Sequence, residues 1–319
     1  MGWLAFLGRQ GATGMSVSLL ISAALPLFVP GAGTALRPGL PAMIMVFLVN
    51  AFARIDVGDA RQILARPTKL LCGLVWVVLV IPILFWAALS MVGRENLDPG
   101  LVLALSLQAA AAPIMATPAV AMVLEMNVTF SVLLLLATMI IQPFTAPLVA
   151  PWVAGSAIQV DGLLLGRNLL LMIGGSVMIS AVIRRVVGLA TLEKYRFETS
   201  GANLIVFTLF GLTMFDGVVV RAFTDPWLVA GLSATAFLIA LGSIAAAFIV
   251  LRAFGRDDAF ITGFAAGHRN VGLMAAAQSG SLPDMTWLYF ALVQLPIYLT
   301  PQIVRLIARF GRRLARLRS

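Results

Sequence analysis

Ala265 to Gly280 reads "AAGHRNVGLMAAAQSG", and it sets the chain's only histidine, His268, beside an arginine, Arg269, inside a run otherwise built of small and apolar residues. An ionised side chain at bilayer depth is costly, and a chain that keeps one there has a use for it. Whether the run lies at such depth is decided by its surroundings. The 319 residues are 61% hydrophobic and only 11% charged, whereas a soluble domain is about 45–50% apolar and about 25% charged. This composition belongs to an integral membrane protein. It leaves little chain for a soluble domain.

Apolar runs separated by charged or Gly/Pro-rich joints predict ten helical spans, at 12–30, 39–54, 68–92, 100–125, 128–152, 163–186, 200–220, 227–251, 257–280 and 285–308. They must be helical, because an open strand leaves its backbone unsatisfied in lipid. The basic residues support the count. With the N-terminus cytoplasmic, one side collects Arg9, the joint from Arg54 to Lys69, the joint from Arg184 to Arg196, Arg252, Arg256 and the tail "RLIARFGRRLARLRS". The other side holds only Arg37, Arg94, Arg167 and Arg221. Such a bias predicts both termini in the cytoplasm and an even number of spans. The net charge of +9 is thereby assigned to membrane orientation, and nucleic acid is not an expected partner. The tail reads as a basic amphipathic helix that rests on lipid headgroups. Nothing in "MGWLAFLGRQGATGM" resembles a cleaved secretory signal, and Cys72, the lone cysteine, reads as an inert buried thiol.

Shifting the chain by 152 residues lays span four on span nine and span five on span ten, and brings Gln142 onto Gln294. Five spans per half, an odd number, turn the second copy upside down. The expected fold class is therefore all-α integral membrane, with ten transmembrane helices as two inverted five-helix repeats. The first repeat covers 1–155, and the second covers 156–319 with its basic tail. Inverted repeats are a common plan of secondary transporters, with the binding site at the midplane where discontinuous helices meet.

Span four carries Pro113 and Pro118 near its middle, and span nine carries Gly267 and Gly272 around His268, Arg269 and Asn270. Proline removes a helix donor and clashes with the preceding turn, so both spans are expected to break. Pro113, Pro118, Gly267 and Gly272 are the expected crossover residues. The freed backbone groups, with Thr117 and Asn270, would line a site for an ion or a carboxylate. The prolines elsewhere in the spans, Pro26, Pro82 and Pro301, read as simple kinks.

The ten spans in two halves, "ARPTKLLCGL" (Ala65 to Leu74) leading into span three, and Gly267 with Asn270 in "GHRN" resemble the bile acid:sodium symporter superfamily. The likeness in plan covers nearly the whole chain. It implies a panel domain, a core domain with two crossing broken helices, and transport of organic anions, often with sodium, in a bacterial inner membrane. The chain departs from that pattern where sodium binds. Sodium-coupled members have a Glu two residues before the Gly of span nine and a Gln just before the Asn, where this chain has Ala265 and Arg269. Thr138 falls near a family ion-ligand position, but one hydroxyl makes a poor cation site. The resemblance therefore implies anion transport without the usual sodium ligands.

An arginine stays protonated at physiological pH. Arg269 needs compensation from an acid, from carbonyls, from water or from an anionic ligand, and Asp216 is the acid expected at the nearest depth. Two arrangements satisfy it: pairing with a substrate carboxylate, or bracing against the carbonyl ends of the broken helix. His268 is either a proton carrier that couples transport to a pH gradient or a hydrogen-bonded core residue. Gln142 and Gln294 are expected either to line the cavity from the two halves or to bond between helices. The substrate-binding candidates are thus Arg269, Asn270, His268, Thr117, Gln142 and Gln294, with His268, Asp216 and Thr138 as candidates for coupling to H+ or Na+. No catalytic residue, cofactor or metal is expected. The sequence has no H-E-x-x-H, G-x-S-x-G or P-loop, which disfavours an intramembrane enzyme, and a single pseudo-symmetric chain offers no ring of like groups for an anion channel.

Overall fold

In the computed structural model, which describes residues 2–54, 67–278 and 282–316, every element is helical and the sole bridge between extended residues joins Pro113 to Arg269. A short helix Trp3–Arg9 precedes α1 (Gly11–Phe28). Three long helices or helix stretches follow the same apolar logic: α2 (Ala32–Arg54), α3 (Pro67–Val92) and, after a break, α6 (Val128–Ala154). Between α3 and α6 lie α4 (Pro99–Ala110) and α5 (Thr117–Val123). The second half runs α7 (Gly162–Val187), α8 (Arg196–Thr224) and α9 (Pro226–Phe254), then α10 (Arg256–Gly267), α11 (Val271–Ala277) and α12 (Asp284–Arg316).

Six of these, α2, α3, α6, α7, α8 and α9, are long and apolar enough to cross a membrane. That is consistent with a multi-pass membrane protein. The outward faces agree, since Leu163 and Trp227 are each 86% exposed, a display that would drive a protein in water to associate and that lipid tails accept. Helix is found in each of the ten stretches expected from the sequence; the fourth stretch of each half is interrupted, and so is the seventh stretch, at Asp216 and Gly217. The chain beyond span ten continues as helix to Arg316. Arg61, Arg66 and Arg318 of the basic set, Ala65 of the "ARPTKLLCGL" stretch, and Ser279 and Gly280 of the opening stretch lie outside the described residues.

Packing divides the helices into two groups. One contains α1, α2, α7 and α8, with α8 lying on α1 and α2 and α7 on α2. The other gathers α3, α4, α5, α6, α9, α10 and α12 around the interrupted helices, with α9 along α10 and α4 between α6 and α12. The groups meet where α7 lies on α6, where α8 touches α9 and α12, and where α11 touches both α2 and α7. Both broken helices thus belong to one packed unit, and α11 is one of the pieces that reach the other.

At one end of that unit three helices are tied by a carboxylate. Asp258, in the first turn of α10, accepts from Lys69 Nζ of α3 at 2.9 Å and from Asn127 Nδ2 of the α6 N-cap at 3.2 Å. Its side chain is 11% exposed, that of Lys69 41%. An acid in a first helical turn is favoured by the helix dipole, and the lysine offsets what is left of its charge. Removing one partner of a sheltered pair costs more than removing both. Lys69→Met is therefore expected to lower thermal stability, and adding Asp258→Asn to it to restore part of the loss, read by unfolding of the purified protein in detergent. Losses that simply add would contradict the pairing.

Candidate functional site

The break in the first half follows from its prolines. In α4, Ala109 O would bond the amide of residue 113, but Pro113 has none, and the Ile114 amide turns instead to His268 O at 2.8 Å. α4 therefore ends at Ala110, with Ala111 extended. Pro118 sits in the first turn of α5, where its missing amide costs nothing, and Thr117 closes the turn by donating to Ile114 O at 2.6 Å. Pro113 thus stops one helix and Pro118 helps start the next.

In the second half His268 is extended at the end of α10, and Asn270 caps α11 by accepting from the Leu273 amide at 3.1 Å. Gly267 and Gly272, two of the expected crossover residues, flank this break, and neither has a positive φ. Their use is close approach. A Cβ on Gly267 would stand 2.5 Å from Ala240 O of α9, and one on Gly272 would stand 2.8 Å from the Phe210 ring. The polar triplet makes the break, and the glycines let neighbouring helices reach it.

The two interruptions cross and pair. Ile114 N donates to His268 O and Asn270 N donates to Ala112 O, each at 2.8 Å, which forms the antiparallel bridge of Pro113 with Arg269. Backbone groups freed by each break satisfy those freed by the other, as burial requires.

Arg269, 1% exposed, is the largest of the fully buried side chains. Nε donates to Ala266 O at 2.8 Å, Nη1 to Ala111 O at 2.6 Å and Nη2 to Val77 O at 2.8 Å. Ala266 lies in the last turn of α10 and Ala111 caps α4, so two helix C-termini, the negative ends of their dipoles, face the guanidinium. The third oxygen comes from a π-helical stretch of α3, Trp76–Val80. Ile81 N bonds Trp76 O there, and in that register Val77 O would be paired with residue 82, which is a proline without an amide. Pro82 is therefore more than a kink: it releases the carbonyl that Arg269 takes.

Of the two arrangements expected for Arg269, these bonds are the ones a brace makes. The guanidinium braces the crossing, and all three of its nitrogens already donate to carbonyls. Asp216 is not its counter-ion. That carboxylate ends the first part of α8 and accepts from the Thr34 amide and hydroxyl, both at 2.8 Å. Asp216 is held by those two donors of α2 and forms no ion pair with Arg269.

Beside Arg269 lies a cavity of about 10 Å³, room for about one water, lined among others by Thr138, Gln142, Thr145 and Ala109 to Ala112. Gln142, 2% exposed, donates to Met274 Sδ at 3.1 Å while its Oε1 has no partner. Thr138 Oγ1 donates within its own helix. Arg269, Gln142 and Thr138 are thus brought together. Gln294 does not join Gln142 there, because its amide bonds Phe290 O of its own helix at 3.4 Å. His268 faces the other way. Fully buried and stacked on Phe264, it has Phe264 O 3.0 Å from Nδ1 and Pro296 O 3.3 Å from Nε2. Asn270 remains partly exposed at the crossing, as do Ile114 and Met115.

No group of three or more histidines, cysteines or acids stands close enough to hold a metal among the described residues. The acceptor set around Arg269 is made of backbone, and Pro82 is the one residue whose identity hinted at it.

Because the Gly267 contact is with backbone, Gly267→Ala is expected to cost about 1–3 kcal/mol through overpacking. Gly231→Ala, on the open face of α9 with nothing within 4 Å, should cost nothing measurable in the same unfolding assay. Equal effects would contradict the close approach. No protein-family model matches this chain, and no curated protein sequence matches it significantly.

Proposed function

We propose that the chain is a secondary carrier of small or amphipathic organic anions, working by alternating access in a bacterial inner membrane. Both termini are cytoplasmic, and the ten helical stretches cross as two inverted repeats. The observation that carries this reading is the crossing itself. Two interrupted helices, each fourth in its half, pair through Pro113 and Arg269, and such half-helix junctions are where secondary transporters bind their substrates. The likeness to the bile acid:sodium symporter superfamily points the same way.

In this reading Arg269 acts at a distance. Its charge makes the low-dielectric crossing attractive to an anion, and Asn270, with the partly open Ile114 and Met115, forms the surface that the anion meets. Movement of α1, α2, α7 and α8 against the other group would expose that surface alternately to the two sides. The positive charge is built into the chain, so uptake needs no sodium gradient.

Purified protein in liposomes is expected to take up at least one member of a carboxylate panel saturably, with equal rates when sodium is replaced by choline. Asn270→Ala, which removes the α11 cap, should reduce that uptake by about tenfold or more, in line with the cost of a lost cap. Flux that does not saturate and shows unitary conductance would instead identify a channel, and hydrolysis or transfer without flux an enzyme.

Proton coupling through His268 is a second reading, favoured by its two carbonyl neighbours: a neutral imidazole donates to one of them only, an imidazolium to both. Its expected signature is uptake abolished by a proton ionophore and by His268→Gln. Uptake indifferent to both overturns it.

A further inference from the structure

We propose that the short helix Trp3–Arg9 and the first turn of α8 together bind one anionic phospholipid at the membrane face, its phosphate held by Arg9 and Arg196 beside the Phe197 ring and its apolar part lying against Trp3 and Phe6. The two helices touch through their backbones. A Cβ on Gly8 would overlap Phe197 O, and one on Gly201 would overlap Leu4 O. With no side chain between the helices, the residues that flank the contact are drawn together. Arg9 follows Gly8, and its Cζ lies 4.8 Å from the centre of the Phe197 ring, while the Cζ of Arg196 lies 4.7 Å from the same centre. The two guanidinium groups are thus within about 10 Å of each other, about one Debye length in ordinary salt. A third cation joins them, since Arg54 at the end of α2 donates to Arg196 O at 3.2 Å and to Thr199 Oγ1.

Like charges gathered in this way repel, and the described acids of this stretch do not balance them. Glu193 and Glu198 are set against Arg9, Arg54, Lys194 and Arg196. Glu193 is taken by Arg196 Nη1 at 2.6 Å. Arg9 makes no hydrogen bond or ion pair with any described residue, and its one contact of this kind is the ring. Stacking uses the flat face of a guanidinium and leaves its edge of N–H donors free. Such an edge suits a phosphate, which accepts charge-assisted hydrogen bonds from more than one arginine.

The surface around the charges separates a lipid from a free anion. Trp3 and Phe6 are 65% and 58% exposed, and with Arg9 they follow at three-residue steps along one side of the short helix. Tyr195 is exposed beside Arg196. Tryptophan and tyrosine collect at the headgroup level of a bilayer, and Arg196 begins α8, one of the helices long enough to cross. A soluble phosphate has no use for the apolar side, whereas a phospholipid covers both. Arginines clustered at the end of a crossing helix favour an anionic headgroup, because the ammonium of a zwitterionic one would add to the positive charge. The bound lipid would tie the N-terminal helix, the end of α2 and the start of α8 to one another. This needs the membrane and holds whatever the chain transports.

The test uses the full chain in a neutral detergent with phosphatidylglycerol, phosphatidylcholine or inorganic phosphate added, and reads lipid retention by native mass spectrometry together with the unfolding temperature. Wild type is expected to retain phosphatidylglycerol in preference to phosphatidylcholine and to unfold about 3 °C or more higher with it. Phosphatidylcholine and about 10 mM inorganic phosphate should each give less than about 1 °C. Arg9→Gln, at an exposed position where folding should not suffer, is expected to need about tenfold more phosphatidylglycerol for the same rise. Phe197→Leu keeps every charge but removes the platform, and should need about threefold more. Arg252→Gln removes one exposed charge at the end of α9 and should change the requirement by less than about twofold. Equal responses of Arg9→Gln and Arg252→Gln, a Phe197→Leu protein that matches wild type, or stabilisation by phosphatidylcholine as large as by phosphatidylglycerol would overturn the site. An equal rise with inorganic phosphate would overturn the lipid as its occupant.

Discussion

An arginine that keeps its charge, buried to 1% exposure and met by no carboxylate among the described residues, is the constraint around which this protein is arranged. Desolvating a guanidinium is tolerable only if each of its nitrogens finds an acceptor. An intact helix has none to give, because its carbonyls are spent on its own ladder. The acceptors therefore come from places where the ladder stops: the ends of α4 and α10, and the π stretch of α3. The same interruptions that look like weaknesses in a membrane helix supply the charge compensation, and the bridge between Pro113 and Arg269 uses what remains. Helix breaking, buried charge and backbone pairing are one solution, and none of the three would be stable without the other two.

That arrangement also orders the neighbours. Small residues bring α9 within touching distance of α10 at Gly267 and bring Phe210 and Ile44 against α11 at Gly272. With lipid outside, such close contact is the main attraction between helices. The Asp258, Lys69 and Asn127 cluster then fixes the ends of α3, α6 and α10 relative to one another. The unit that contains the crossing is consequently held at its centre and at one end, while its junction with α1, α2, α7 and α8 relies on fewer polar ties, such as Asn168 Nδ2 donating to Ala277 O at 2.7 Å. A division of this kind, one braced body beside another, is what a rocking carrier would use.

Much of this was legible in the residues. Apolar runs and their charged joints place the helices to within a few positions, because lipid leaves the backbone no other choice. The two breaks were legible too, from Pro113 and from the polar triplet His268 to Asn270. What could not be read were the partners. A backbone carbonyl carries no residue identity, so nothing in Ala111, Ala266 or Val77 announces a ligand, and the acid chosen by depth, Asp216, is in fact occupied by Thr34. The matching of Gln142 with Gln294 compared positions along the chain, whereas the direction of each side chain depends on helix rotation, and Gln294 turns back to its own backbone. Gly267 and Gly272 were read as crossover residues, and what the sequence did not show was how closely Ala240 and Phe210 approach them.

Pro82, inside α3, acts as an address. Successive residues of a helix point about 100° apart, and a proline silences the donor for a single upstream oxygen. Where Pro82 sits along α3 therefore fixes both the height and the compass bearing at which that helix presents a free oxygen to its surroundings. Sliding the imino acid by one step would swing that oxygen a quarter-turn or more away, and the arginine would find a closed wall. The length of chain between Pro82 and the start of α3 is thus under the same restriction as a tooth spacing in a gear, and insertions there would be felt two helices away.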